Sequence, residues 1–333
     1  MGVIKILFKR LVTTLFSIFL SITIVFIVPR LVPGNPIETM LQQLYVEGQA
    51  FQLEQMVKEY EEAFGLRGSL LEQYFKFIVQ TLKGDLGFSI FLFPTAVIEL
   101  ILRYLPWTIG LLLTAFILSW VIGTLIGLLA GWRESSRLMQ ITASFLVFIR
   151  GLPFYILALL LQFFFAYSLR LFPSSGAYSV GITVSLSLNF ILDVMKHSFL
   201  PALCLVLGSV TGWFLGMRAM VINIKNEDFV KFAEAKGLRR STVVWSYVFR
   251  NALLPQVTGL SLSLASVVGG AILTETIFAY PGIGTLINLS IRRLDYPVIQ
   301  GCVLVMILSV CIANFVMDII YPLLDPRIRY GEG

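Results

Sequence analysis

The sequence predicts an all-α polytopic membrane protein with six transmembrane helices, both termini in the cytoplasm and an external subdomain after the first helix. Three observations support this prediction. Hydrophobic residues fill 57% of the 333 positions and charged residues only 13%, against roughly a quarter charged in soluble proteins. Six uncharged stretches approach or exceed the about 20 residues that cross a hydrocarbon core. Basic residues also concentrate in alternate loops, a pattern that orients membrane spans.

The six spans are expected to be helices, because an open strand would leave unpaired backbone groups in lipid. The first span resembles a secretion signal, but no small-residue cleavage pattern follows Val28, so we interpret it as a retained anchor. The third is expected to begin near Ile141 and to kink at Pro153. The spans are Leu11 to Val28, Pro106 to Trp132, Gly151 to Leu169, Ser198 to Met217, Ala252 to Thr274 and Pro297 to Met317.

The basic residues place both termini and a charged loop, residues 222–255, in the cytoplasm. Tyr178 to Leu192 is also uncharged, but its 15 residues are short for a span. Counting it as a span would put the charged loop outside, so we interpret it as external or interfacial.

These assignments divide the chain into four parts. The external subdomain is expected to hold two amphipathic helices, around Leu53 to Phe64 and Leu70 to Leu82, with apolar faces on the outer ends of the spans. The parts are the N-terminal segment with the first helix (1–30), the external subdomain (31–104), a five-helix core that contains the loop at 222–255 (105–325) and a tail (326–333).

Glycines recur at every fourth position in two of the spans. This spacing lets helix backbones approach closely, which is how helices associate in lipid. We therefore predict close packing along both rows, which are Gly123, Gly127 and Gly131 in the second span and Gly208, Gly212 and Gly216 in the fourth.

The charged passage from Asn226 to Pro255 predicts two short helices. Asn226 can cap the first helix, and Gly237 suits the left-handed position that closes it. Ser241 can cap the second helix, which Pro255 would interrupt. By its composition alone, the passage could be a solvated basic loop between spans or a docking element.

The same passage resembles the cytoplasmic EAA loop of ABC importer permeases of the dipeptide/oligopeptide family, first-permease type. Members of that family read approximately DYV-x-x-A-x-AKGL and then RNALLP; here Asp228 to Leu238 and Arg250 to Pro255 match the two halves. Lys231 and Phe232 depart from the broader EAA consensus. Further matches include GDLG-x-S at residues 84–89, and together the matches extend over nearly the whole chain.

This resemblance implies a type I ABC importer permease fold in a prokaryotic cell (plasma or inner) membrane. Transport would proceed by alternating access, driven by ATP hydrolysis on separate subunits. The implied partners are a homologous second permease, two ATPase subunits, an extracytoplasmic substrate-binding protein that could touch the external subdomain, and membrane lipid. No nucleic acid partner is expected.

The implied substrates are oligopeptides or dipeptides. Oligosaccharides are the alternative, because LPWT at residues 105–108 and AGW at 130–132 are similar to members that import them. Nickel is a weaker alternative, since the chain has a single histidine. A secondary transporter would predict an internal repeat and ion-binding carboxylates near the midplane, which the sequence does not display.

The resemblance also implies that the coupling loop, residues 222–255, docks on an ATPase subunit. The residues expected to mediate this docking are Asp228, Phe229, Val230, Phe232, Ala233, Ala235, Lys236, Gly237 and Leu238.

Two charged residues interrupt apolar sequence and are candidates for the pathway or a gate. They are Arg150 and Glu275, and ionisable groups inside a membrane are costly and often functional. Arg150 could instead reach the cytoplasmic interface from a tilted helix. Glu275 lies in a segment, ETIFAYPGIG, that is similar to one in the same family, and it could instead be a structural anchor.

Reactive motifs are few in the sequence. It has no GxxxxGK[ST] phosphate loop, and no Ser/His/Asp or clustered metal-ligand pattern. His197 is the only histidine, and the three cysteines lack paired ligand spacing. We therefore expect a transport subunit rather than an enzyme, with no cofactor of its own and with ATP and Mg on partner subunits.

Overall fold

The computed structural model describes residues 2–31 and 68–324, and the all-α prediction is confirmed within those ranges. They contain no strand, only an isolated antiparallel bridge between Phe88 and Ala96. The predicted helix from Leu53 to Phe64 lies outside the described residues. The helices are α1 (Gly2–Leu31), α2 (Leu70–Leu82), α3 (Val97–Trp132), α4 (Arg137–Arg150), α5 (Phe154–Leu161), α6 (Leu188–Lys225), α7 (Asp228–Ala235), α8 (Arg250–Ile277), α9 (Ile283–Arg292) and α10 (Tyr296–Leu324).

Four of the described helices are long and apolar enough to cross a membrane: α1, α3, α6 and α10. The number rises to five if α4 and α5 form one span. The predicted fifth span, Ala252 to Thr274, lies within α8, but the side chains of residues 261–270 fall outside the described part. The chain therefore has several membrane helices, and the count of six stays a prediction.

The third predicted span bends much more sharply than the predicted kink at Pro153. The axis turns by 107° between Arg137–Arg150 and the arm Phe154–Ser168, whose second half is π-helical. Pro153 has no N–H to donate, and a proline disfavours the helical conformation of the residue before it. The break at residues 151–153 thus separates two helices where one kinked helix was expected.

Two helices begin earlier than predicted. α3 starts at Val97, so residues 97–104 are helical and continuous with the predicted second span. α6 starts at Leu188, where the hydroxyl of Ser187 accepts a hydrogen bond from the N–H of Phe190. Hydropathy marks only the apolar centre of a span, whereas a helix continues through polar turns to its cap.

The chain forms two compact units, the first made of the residues up to Trp107 together with Gly282–Val316. In it α2 begins with a capping box between Ser69 and Glu72. The Tyr74 hydroxyl lies 2.7 Å from that of Thr23 on α1. α2 therefore contacts α1, but none of its residues is buried, and the packing of its apolar face stays a prediction. Other apolar residues of α2, including Phe75 and Leu82, are exposed.

The second unit contains Thr108–Pro281, and in it α3 packs closely against α6. A Cβ on Gly127 would lie 2.6 Å from the carbonyl oxygen of Phe214, and one on Gly123 2.7 Å from that of Val210. The glycine row of α3 therefore packs as predicted. The row of α6 does not pack as a unit, since a Cβ on Gly212 would meet nothing within 4 Å.

Candidate coupling loop

The first helix of the coupling loop is α7, and it begins one residue later than its predicted cap implies. Glu227 is the N-cap, with extended backbone angles (φ −72°, ψ 147°). Asn226 keeps near-helical angles at the end of α6, and its side-chain amide donates to the Ile222 carbonyl at 3.1 Å. The prediction that Asn226 caps the helix is wrong, because an N-cap needs the extended conformation that Glu227 adopts.

The corner after α7 is formed by Gly237, as predicted. Its φ is +72°, the left-handed region that residues with a Cβ rarely adopt. The Gly237 N–H donates to the Glu234 carbonyl at 2.9 Å and the Leu238 N–H to that of Ala233 at 3.4 Å. These bonds satisfy carbonyls that the end of a helix would leave without a donor.

The second helix is neither capped nor interrupted where predicted. It starts at Arg240–Thr242, continues as a π-helical segment, Val243–Phe249, and runs on into α8. Ser241 is already helical, and Pro255 lies inside α8. Proline removes one hydrogen bond, yet membrane helices tolerate it where neighbouring groups compensate. The prediction of a helix that stops at Pro255 is wrong.

Two side chains of α7 hold it on the rest of the second unit. Val230 is 0% exposed and Ala233 is 2% exposed. They belong to an apolar cluster contributed by α3, α6, α7, the π-helical segment and α8. We call it the loop cluster; its buried members are Leu128, Trp132, Met217, Val221, Val230, Ala233, Val243, Val248 and Ala252.

The rest of the α7 surface is open and partly aromatic. Phe229 is 42% and Phe232 61% exposed. The Lys236 ammonium lies 4.7 Å from the centroid of the Phe232 ring, and Lys231 Nζ is 3.6 Å from an Asp228 carboxylate oxygen. Exposed aromatic residues are typical of protein interfaces.

The structure thus divides the residues predicted for docking into two groups. Val230 and Ala233 are buried and attach α7 to the loop cluster, so no partner can touch them without unfolding the loop. The remaining predicted residues are accessible: Asp228, Phe229, Phe232, Ala235, Lys236, Gly237 and Leu238.

Residues 123–330 match the family described as binding-protein-dependent transport system inner membrane component. The match extends over more than half of the chain. The chain belongs to this family. The resemblance noted from the loop motif is confirmed, and the chain is a transport permease.

Named relatives match the permease over nearly their full length. The oligopeptide transport system permease protein AppB of Bacillus subtilis (strain 168) is 33% identical over 315 residues, which cover 94% of this chain and 96% of that protein. The di/tripeptide transport system permease protein DppB of Pseudomonas aeruginosa (strain UCBPP-PA14) is 32% identical, with 96% of each chain covered. The glutathione transport system permease protein GsiC of Escherichia coli O6:H1 is 30% identical, with 97% and 98% covered.

The two candidates for the pathway of the permease lie on different helices. Arg150 is the exposed last residue of α4, directly before the sharp bend. Glu275 is fully buried in the last turn of α8, where its backbone carbonyl accepts from the Tyr280 N–H at 2.8 Å. The Tyr280 hydroxyl lies 3.0 Å from that of Ser198 on α6. Both candidates stay predictions.

The described residues of the permease bring no three His, Cys, Asp or Glu side chains together as a metal site. His197 has Nδ1 2.9 Å from the Asp193 carbonyl oxygen and 3.6 Å from its carboxylate. That pairing lies within one helix and suits a structural role for the imidazole.

Sequence reasoning missed Asp295, which fastens the GDLG-x-S element of the permease. Asp295 is 3% exposed. Its carboxylate accepts hydrogen bonds from the Ser89 hydroxyl and from the N–H groups of Ile90, at 3.1 Å, and Phe91, at 3.3 Å. Asp295 thus holds the segment before α3 to the turn before α10. The only sequence signal was a carboxylate between apolar helices, far from its partners in the chain.

Proposed function

We propose that the permease is a transmembrane subunit of an ATP-driven, binding-protein-dependent importer of short peptides. The observation that supports this proposal is the exposed aromatic face of α7, which is attached to the loop cluster through Val230 and Ala233. A short helix with one anchored face and one open aromatic face suits docking into a groove of a separate protein.

The proposed topology has six spans with both termini and the coupling loop in the cytoplasm. It is supported by the distribution of Lys and Arg along the sequence. In this orientation the open face of α7 meets cytoplasmic partners.

The proposed partners are a homologous second permease, two ATPase subunits that bind ATP and Mg, and an extracytoplasmic substrate-binding protein. Membership in a binding-protein-dependent family supports this set. Peptides are the proposed substrate class because the named relatives transport oligopeptides, di/tripeptides and glutathione.

Alternating access is the proposed mechanism, and the way α7 is held supports it. Its docked face would move with the ATPase subunits as they close on ATP. Val230 and Ala233 are packed among side chains of α3, α6 and α8. The motion of α7 would therefore be transmitted to the spans and would not be absorbed by a flexible loop. The spans would then reorient the pathway between the two permeases.

Native capture of the tagged permease from its own membrane tests the proposal. We expect ATPase subunits and a binding protein to copurify, and mass spectrometry to find peptides in the captured binding protein. Oligosaccharides in place of peptides would reassign the substrate, and absence of an ATPase from an otherwise intact preparation would overturn the importer assignment.

The same capture experiment, repeated with a variant of the permease, tests the docking face of α7. Phe232→Glu is expected to lower ATPase recovery at least tenfold, because it places a charge in the centre of the apolar contact, where hot-spot losses reach about 2 kcal/mol or more. Phe232→Leu keeps an apolar side chain and serves as the matched control. Equal ATPase recovery with both variants would contradict docking through this face.

A further inference from the structure

The two ends of the segment that contains α7 meet at one aromatic side chain. The segment comprises residues 226–239, preceded by Lys225 and followed by Arg240. The Lys225 ammonium lies 5.8 Å and the Arg240 guanidinium carbon 5.6 Å from the centroid of the Trp132 ring. Both distances are within the about 6 Å over which a cation is attracted to an aromatic face, and tryptophan is the strongest partner.

Trp132 is itself held firmly at the end of α3. It is 7% exposed and belongs to the loop cluster together with Val230 and Ala233 of α7. The preceding Gly131 allows α3 and α6 to approach, since a Cβ there would lie 2.8 Å from the Arg218 carbonyl oxygen. The Trp132 ring therefore lies at the end of the close contact between α3 and α6 that the α3 glycine row forms.

An ion pair is also formed at the Lys225 end of the segment. Lys225 Nζ lies 3.4 Å from Glu134 Oε1, with both side chains partly exposed. Exposed pairs of this kind contribute little. Arg240 has its aromatic contact at the other end of the segment, directly after the corner at Gly237.

We infer that Trp132 is a positioning residue of the coupling loop, which fixes both ends of residues 226–239 on α3 and so sets the orientation of α7 toward its partner. This inference rests on the proposed function, in which α7 transmits the movement of an ATPase. Without the two cation–π contacts, the segment would keep Val230 and Ala233 as its attachment but would pivot about them.

Hydrogen–deuterium exchange tests the inference on the purified full-length permease, with or without bound partner subunits. The double variant Lys225→Gln/Arg240→Gln removes both cations and leaves the loop cluster intact. We expect the amides of residues 226–239 to exchange about tenfold faster, since two cation–π contacts are lost. Trp132→Leu removes both the ring and a member of the loop cluster, so its exchange is expected to be at least as fast as that of the double variant. Trp132→Phe keeps an aromatic face and is expected to retain most of the protection.

Glu134→Gln is the matched control, because it breaks the ion pair and leaves both cations on the ring. It is expected to leave the exchange of residues 226–239 unchanged. Unchanged exchange in the double variant would overturn the inference, as would an equal increase in Glu134→Gln.

ATPase stimulation by the binding protein is measured on the same variants after assembly with their partner subunits. Faster exchange together with lost stimulation supports the role in coupling, whereas faster exchange with normal stimulation overturns it. The exchange result stands apart from the proposed function, which instead fails if the unsubstituted permease binds no ATPase.

Discussion

Gly237 shows how a single backbone angle can matter to this permease. With φ at +72° it occupies a region that costs side-chain-bearing residues about 1–2 kcal/mol. The space around it is open, because a Cβ there would meet nothing within 4 Å. The constraint at this position is therefore conformational and not steric.

Replacing Gly237 by a β-branched residue is expected to uncouple ATP hydrolysis from transport. Gly237→Val should shift the corner and with it the end of α7. In proteoliposomes, the number of ATP molecules hydrolysed per substrate molecule imported should therefore rise. Gly237→Asn is the control, since asparagine tolerates the left-handed conformation. A normal ratio in the valine variant would contradict the importance of this corner.

Val230 and Ala233 show what burial adds to a motif match. The motif marked them together with Phe229 and Phe232 as docking residues. Helical periodicity alone does not say which face is covered, because that depends on helices remote in the chain. Contact with Leu128, Trp132 and other members of the loop cluster decides that these two residues attach α7.

At the scale of elements, α8 shows that a proline does not always end a helix. The helical path from Arg240 to Ile277 passes through a π-helical segment and then Pro255. A π-helical segment shifts the hydrogen-bond register, and such segments are often found at functional sites. The coupling loop is therefore joined to the predicted fifth span without a break.

The contact between α3 and α6 permits a test of helix packing. Gly127→Ala is expected to destabilise the permease by about 1–3 kcal/mol, because overpacking forces the helices apart. A thermal melt in detergent should show a lower Tm.

The matched control for that melt lies on α6. Gly212→Ala adds the same methyl group where a Cβ meets nothing within 4 Å, and alanine stabilises a helix by about 0.5–1 kcal/mol relative to glycine. A Tm that is unchanged by Gly127→Ala, or lowered equally by both substitutions, would argue against the close contact.

At the scale of the whole molecule, the proposed topology places the coupling loop and residues 178–187 on opposite sides of the membrane. In intact cells, an impermeant thiol reagent should label Ser185→Cys but not Ser241→Cys, which should react only after permeabilisation. Both positions are exposed. The unsubstituted permease is the control, because it shows how much the native cysteines are labelled; of these, Cys204 and Cys302 are buried. Labelling of both variants from outside would contradict the six-span topology.

The sequence alone determined that this is a helical membrane permease, where most apolar helices lie and that Gly237 turns the corner after α7. These properties follow from hydropathy, glycine conformation and local motifs, which act over a few residues. Tertiary structure alone decided that Val230 and Ala233 are buried, that the α3 glycine row packs closely at every position whereas the α6 row does not, and that Asp295 holds Ser89. Those outcomes depend on contacts between residues up to 206 positions apart, and no local pattern specifies which distant surface a side chain will meet.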